Sequence, residues 1–249
     1  MYNPFSLENK TILVTGASSG IGRAIAIECS KMDATVILSG RNEDRLNETL
    51  SQMNGVEHSI IVADLLKENS IERIVESISN KIDGIVQCAG FTIPKPFHFL
   101  SKDNIKDVMN VNFEAPILLT QQLLKKKKIA NNSSIVFISS ISGVFCSSPA
   151  GSIYSASKGA INGIVKSLAI ELSVKGIRVN SVNPGMINTN IFESGVISEE
   201  QLKEDMKKYP LKRYGEPKEV AYAVIYLLSN ASGWVTGSNL LIDGGYTLN

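Results

Sequence analysis

Seven short apolar runs rich in β-branched residues recur through the 249-residue chain: TILVT (11–15), ATVILSG (34–40), HSIIVA (58–63), DGIVQCA (83–89), SIVFIS (134–139), IRVNSV (177–182) and NLLID (239–243). Segments with helical spacing alternate with them, at 21–32, 42–53, 68–80, 102–127, 153–175 and 217–229. Strands separated by helices of this length predict right-handed βαβ units and a parallel sheet covered by helices on both faces. The expected fold class is therefore α/β: a single-domain Rossmann fold over residues 1–249, doubly wound, with a seven-stranded parallel sheet. The longest irregular piece, residues 186–216, is read as a substrate lid within that domain, because a loop so long in a compact domain is more often functional than a linker.

Composition narrows the function classes. A 43% hydrophobic content suits a folded core, and a formal charge of +1 supplies no field that would gather nucleic acid. Cys29, Cys88 and Cys146 are odd in number and widely spaced, which argues for reduced thiols and a cytoplasmic setting. No run of 18 apolar residues and no signal-peptide core are present, so no membrane association is expected. With only His58 and His98, and no cluster at ligand spacing, no metal site is expected either.

The unusual residues fall just beyond the carboxyl ends of the expected strands. Gly16, Gly20 and Gly22 follow the first, Arg41 the second, Asp64 the third, Ala89 and Gly90 the fourth, Ser140 the fifth, and Pro184 to Thr189 the sixth. That edge of an open parallel sheet is where ligands bind, and Asn112 in the following helix could reach it. Glycines in a strand-turn-helix let a phosphate approach the free N–H groups at the helix start, where the dipole favours negative charge. The spacing G-x-x-x-G-x-G lacks the Gly-Lys-Ser/Thr ending of a P-loop. Residues 16–20 also fit the G-x-S-x-G nucleophile elbow, but His58 begins a strand at the wrong edge and His98 lies in a loop with no evident acid partner. Ser39-Gly40-Arg41 closes the second strand with no acid for ribose hydroxyls; a guanidinium there can pair with a 2′-phosphate, so NADP(H) is favoured over NAD(H). Arg41 could equally be an ordinary surface residue at a helix start.

Tyr154 and Lys158 sit four apart at the start of a helix, which places phenol and ammonium on one face about 6 Å apart along the axis. Such a pair is common on solvated faces. Its chemical interest lies in the phenol, whose ordinary pKa near 10 leaves about one in a thousand ionised at neutral pH; an adjacent ammonium favours the phenolate.

Taken in order, TGASSGIG (15–22), DL (64–65), CAG (88–90), NVN ending at Asn112, ISS ending at Ser140, YSASK (154–158), NPGMINT (183–189) and IDGG (242–245) resemble the short-chain dehydrogenase/reductase family over essentially the whole chain. The resemblance implies that Tyr154 donates or accepts the proton, that Lys158 binds the nicotinamide ribose and lowers the tyrosine pKa, that Ser140 orients the carbonyl and that Asn112 holds a relay water. It further implies a cofactor site of Gly16, Ser18, Ser19, Gly20, Ile21, Gly22, Arg41, Asp64, Leu65, Ala89, Gly90, Tyr154, Lys158, Pro184, Gly185, Ile187 and Thr189. Two departures stand out. Gln87-Cys88 replaces the usual Asn-Asn, which puts local hydrogen bonding in doubt, and one extra residue between Ser140 and Tyr154 leaves Ser142 as an alternative serine.

The tail after Arg213 resembles 3-oxoacyl-(acyl-carrier-protein) reductases, which implies NADPH-dependent reduction of a 3-oxoacyl thioester or related ketone. Phe91, Ile93, Val144, Phe145, Met186, Ile191 and Phe192 would border an apolar substrate cavity, or serve as packing. Residues 125–128 and Lys175 offer positive charge to an acidic carrier protein, although a solvated helix end explains the run as well. A sugar, polyol or steroid substrate would leave the same core sequence, and a catalytically idle dinucleotide-binding sensor or scaffold is the reading from another class. A homotetramer built on the helices around 102–127 and 153–175 is implied by the same resemblance.

Overall fold

Side-chain alternation along the strands decides the layers. In β1 (Thr11–Thr15), Ile12 and Val14 enter one hydrophobic cluster and Leu13 the other; Val86 and Ile85 divide the same way in β4 (Ile82–Gln87). In β5 (Ile129–Ile138), Val136 and Ile138 oppose Ile135 and Phe137. This period of two, with both faces apolar, requires a helix layer on each side. The structure is a computed structural model, and it describes residues 2–189 and 199–248.

The remaining strands are β2 (Thr35–Gly40), β3 (Ser59–Val62), β6 (Arg178–Pro184) and β7 (Asn239–Ile242). All pair in parallel, in the order β3-β2-β1-β4-β5-β6-β7. The fold is a Rossmann-like α/β fold, and the order reverses between β1 and β4, the switch point at which such sheets open a crevice. One face carries α1 (Gly20–Lys31), α2 (Glu43–Leu50) and α8 (Pro217–Leu228), through residues such as Ile25, Leu46 and Val224. The other carries α3 (Ser70–Ser77), α5 (Ala115–Lys125) and α6 (Ser152–Leu172), through Ile74, Leu119 and Val165.

Three local features differ from the sequence expectation. The helix expected over 102–127 is α4 (Lys102–Met109), a π turn (Asn110–Glu114) and α5. Ala115 N–H bonds the carbonyl of Asn110, five residues back, and Pro116 has no N–H to offer the carbonyl of Asn112. β5 starts at Ile129 rather than 134, with a register irregularity opposite Ile82 and Gly84 and Asn132 at φ 58°. The stretch expected to be irregular contains α7 (Glu199–Met206), followed by the ion pairs Lys207–Glu204 and Lys208–Asp205. Residues 190–198 of that stretch, with Ile191 and Phe192, lie outside the described residues.

Phe137, next to last in β5, is buried among α5 and α6 residues. Phe137→Ala should lower unfolding free energy by about 3–5 kcal/mol, read as a reduced urea midpoint at unchanged slope.

Candidate active site

The glycine turn is fixed by backbone sterics. Gly16 has φ +70°, and a Cβ there would lie 2.9 Å from Ala89 Cα; a Cβ on Gly22 would lie 2.2 Å from Gly16 O. Only bare backbone lets β1, α1 and the end of β4 meet this closely. Ser19 is the N-cap of α1 but its side chain makes no capping bond, so the N–H groups of the first turn are not capped by it. Ser18 is held from behind, its carbonyl accepting from Arg23 at 2.9 Å.

The segment after β6 closes on this turn. The Thr189 side chain would lie 3.4 Å from a Cβ on Gly20, and Thr189 Oγ1 is buried without a partner. An orphaned hydroxyl beside free helix-start N–H groups is the donor set an anionic diphosphate would satisfy. Pro184 ends β6, Gly185 N–H bonds Ile242 O at 2.9 Å, and Ile187 is buried against Gly215. Ile21 lies within α1 and packs on the core. Arg41 is exposed one residue beyond β2, and Asp64 follows β3, where its Oδ1 accepts from Leu66 N–H at 3.1 Å, with Leu65 between.

Ser140, Tyr154, Lys158 and Asn112 come together on the far side of the switch point. Lys158 is 5% exposed; its Nζ donates to Ile138 O at 2.8 Å and sits 5.7 Å from the Tyr154 ring centroid. Burial lowers its pKa to about 8, while the nearby Cys88 opposes that shift. Burial raises the Tyr154 phenol, and the Ser140 side chain partly offsets this. Ser140 therefore faces the phenol; Ser142 instead donates its N–H to Ser140 Oγ at 3.1 Å and bridges to Cys146. In the ligand-free chain, loss of solvent is the largest influence on the phenol, and Lys158 Nζ makes its hydrogen bond to Ile138 O.

Asn112 sits in the π turn with its side chain fully engaged: Oδ1 accepts from Phe91 N–H at 2.9 Å, and Nδ2 donates to Phe91 O at 2.9 Å and Ser157 Oγ at 3.1 Å. Gly90 is thereby wedged beside the lysine, since a Cβ there would lie 3.2 Å from Asn112 Oδ1 and 3.4 Å from Lys158 Nζ. Sequence reasoning missed Ser139, whose Oγ donates to Lys158 O at 3.0 Å, and the bonds that Ser157 Oγ makes, which were not readable from its small size. Adjacency to the recognised motifs was their only signal. The small Ser155 packs its carbonyl against Gly143, where a Cβ would clash at 2.3 Å.

Residues 16–247 match the family model described as Enoyl-(Acyl carrier protein) reductase, adh_short_C2. The chain belongs to the short-chain dehydrogenase/reductase family. It is 38% identical over 245 residues to glucose 1-dehydrogenase of Gluconobacter oxydans, covering 96% of this chain and 92% of that one. It is 37% identical over 245 residues to the 3-oxoacyl-(acyl-carrier-protein) reductase FabG of Aquifex aeolicus, covering 96% and 98%. A crystal structure from Agrobacterium tumefaciens, provisionally named a 2-deoxy-D-gluconate 3-dehydrogenase and holding NADP, superposes with a TM-score of 0.89 at 30% identity over the whole of both chains. As a short-chain dehydrogenase/reductase the chain is an oxidoreductase of alcohol and carbonyl groups that uses a nicotinamide dinucleotide.

Other readings lose support from the same geometry. His58 is held at the amino edge of the sheet, where Nδ1 accepts from Val36 N–H at 3.1 Å, and His98 stacks on Phe99 with centroids 4.1 Å apart. Neither stands beside Ser18 as a hydrolase would require. Burial pushes the Cys88 thiol up to about 12, so it is protonated packing rather than a nucleophile. Within the lysine run, Lys128 Nζ donates to Ile78 O and Ser79 O and Lys125 Nζ to Gln121 Oε1, so those two tie the fold itself. Among the described residues no helix is long and apolar enough to cross a membrane.

The lysine shift has a stability consequence. Between pH about 8 and the unfolded value of 10.5 the unfolded chain holds a proton at Lys158 that the folded chain has released, so stability gains from this group as pH rises. The cost of burying the ammonium is fully present below pH 8. Lys158→Met should therefore be most stabilising, relative to wild type, near pH 7, with the difference shrinking toward pH about 9.5 in urea titrations.

Proposed function

We propose that the chain reduces a carbonyl to an alcohol with NADPH, Tyr154 giving the proton. The observation that supports this most is the pairing of a phenol whose pKa burial raises with a lysine buried beneath it, 5.7 Å from the ring centroid. Bound NADPH would supply the hydride. A phenol that keeps its proton at neutral pH is an acid placed to meet the negative charge that would grow on the substrate oxygen. Ser140 Oγ orients the carbonyl toward Tyr154. Lys158 adds positive charge below the phenol and would hold the nicotinamide ribose. Asn112 supports a relay water through its main-chain carbonyl, which Pro116 leaves without the donor an α-helix would supply.

Gly16, Ser18, Ser19, Gly20, Ile21, Gly22 and Thr189 would hold the diphosphate, Asp64 and Leu65 the adenine, and Ala89, Gly90, Pro184, Gly185 and Ile187 the nicotinamide side. Exposed Arg41 reads as the partner of a 2′-phosphate. Arg41→Ala should weaken NADPH binding by about tenfold and leave NADH nearly unchanged, measured by fluorescence titration.

A 3-oxoacyl thioester or related ketone is the leading substrate, because Val144, Phe145 and Met186 are exposed apolar side chains on the loops after β5 and β6, and a FabG protein is 37% identical. A sugar or polyol is the second reading, carried by the 38% identity to a glucose dehydrogenase. On this reading residues 186–216 act as the lid, tied to the body of the fold where Leu211 N–H bonds Gly244 O at 3.3 Å and Arg213 pairs with Glu219 at 2.6 Å. A homotetramer would cover Ile170 and Val174, which are 76% and 86% exposed on and just beyond α6. The protein acts in the cytoplasm on this reading, and carriage of the substrate by acyl carrier protein is left to Lys126, Lys127 and Lys175.

A panel of oxoacyl thioesters, ketones and sugars assayed by NADPH oxidation tests the reading. Tyr154→Phe should lose at least about 100-fold in kcat while NADPH binding persists. NADPH binding with no turnover of any carbonyl would instead favour the idle sensor.

A further inference from the structure

Gln87 ends β4 where the usual pattern has an asparagine, and it is 4% exposed. Its Nε2 donates to Pro116 O and Thr120 Oγ1 on α5, each at 3.2 Å, and its Oε1 accepts from Thr15 Oγ1 at 3.4 Å. Thr15 Oγ1 in turn accepts from the N–H groups of Cys88 at 3.0 Å and Ala89 at 3.2 Å. Four residues further on, Phe91 is held at both backbone groups by Asn112. Residues 88–90 are thus fastened to one helix at both ends, with Gly90 pressed toward Lys158 Nζ between the two points.

We propose that Gln87 is a positioning residue for the reduction described above, one end of a two-point clasp that sets residues 88–90 against Asn112 and Lys158. The remaining bonds separate this role from simple stabilisation. Without the Gln87 amide, Pro116 O still accepts from Thr120 Oγ1 at 2.8 Å and Thr15 Oγ1 still has Val86 O at 3.4 Å. No partner is orphaned, so an apolar side chain of similar volume costs little in stability. What it removes is the fixed distance between β4 and the helix carrying Asn112. A misplacement of that kind is expensive only where reacting groups must align.

The inference rests on the reductase reading for its kinetic test alone, because amide exchange in the ligand-free chain reads the clasp independently. In Gln87→Leu, NMR-detected exchange at the Cys88, Ala89 and Phe91 amides should accelerate at least about tenfold while the rest of β4 and β5 stays within about threefold. On a carbonyl that wild type reduces, kcat should fall about tenfold or more with KM and NADPH affinity within about threefold. Thr120→Val, which removes one acceptor of the clasp and keeps Gln87, should show the same pattern more weakly, and it decides the question if Gln87→Leu does not fold. Unchanged exchange at the three amides, a general rise across the sheet, or kcat within about twofold of wild type overturns the proposal. If wild type reduces none of the panel while the three amides respond, the clasp stands and the reductase reading fails.

Discussion

An ammonium buried beneath a phenol, and answered by one main-chain carbonyl, constrains the rest of this site. Lys158 cannot leave its place without giving up Ile138 O, and among the described residues no carboxylate pairs with it. A cation in that position is costly unless something else uses it, which is why its pKa falls to about 8. Everything near it is arranged around small volumes: Gly90 on one side, Ser139 and Ser157 on the helix and strand it joins. The same burial that weakens the lysine's charge strengthens the tyrosine's hold on its proton. A phenol that keeps its proton suits the reduction proposed above.

The second constraint is the reversal of strand order between β1 and β4. It opens the sheet edge where bare glycines lower the backbone of α1 toward the end of β4, so that segments far apart in sequence face one space. The π turn answers a related need. A straight α-helix through residues 110–116 would require an N–H at Pro116; the π turn accommodates its absence and lets the Asn112 side chain clamp Phe91 across to β4.

Much of this was legible because it depends on local rules. Short apolar runs rich in β-branched residues announced the seven strands, and the glycines at 16, 20 and 22 announced a tight turn. The helix α7 was hidden because it is short and polar, so no apolar stripe reveals it. The π turn left only Pro116 as a trace. The direction of the Tyr154 shift was not legible, since it depends on how much solvent the fold removes, and spacing alone says only that two groups are near. Gln87 read as a lost asparagine pair; only the sheet-to-helix distance shows a longer amide reaching α5.

If scattered strand ends form one dinucleotide crevice, hydrogen–deuterium exchange with and without NADPH will show it. Saturating NADPH should slow exchange together in the segments 15–22, 88–91 and 184–189, with residues 126–133 at the opposite edge unaffected. Protection confined to one of those segments, or appearing at the opposite edge, would contradict it.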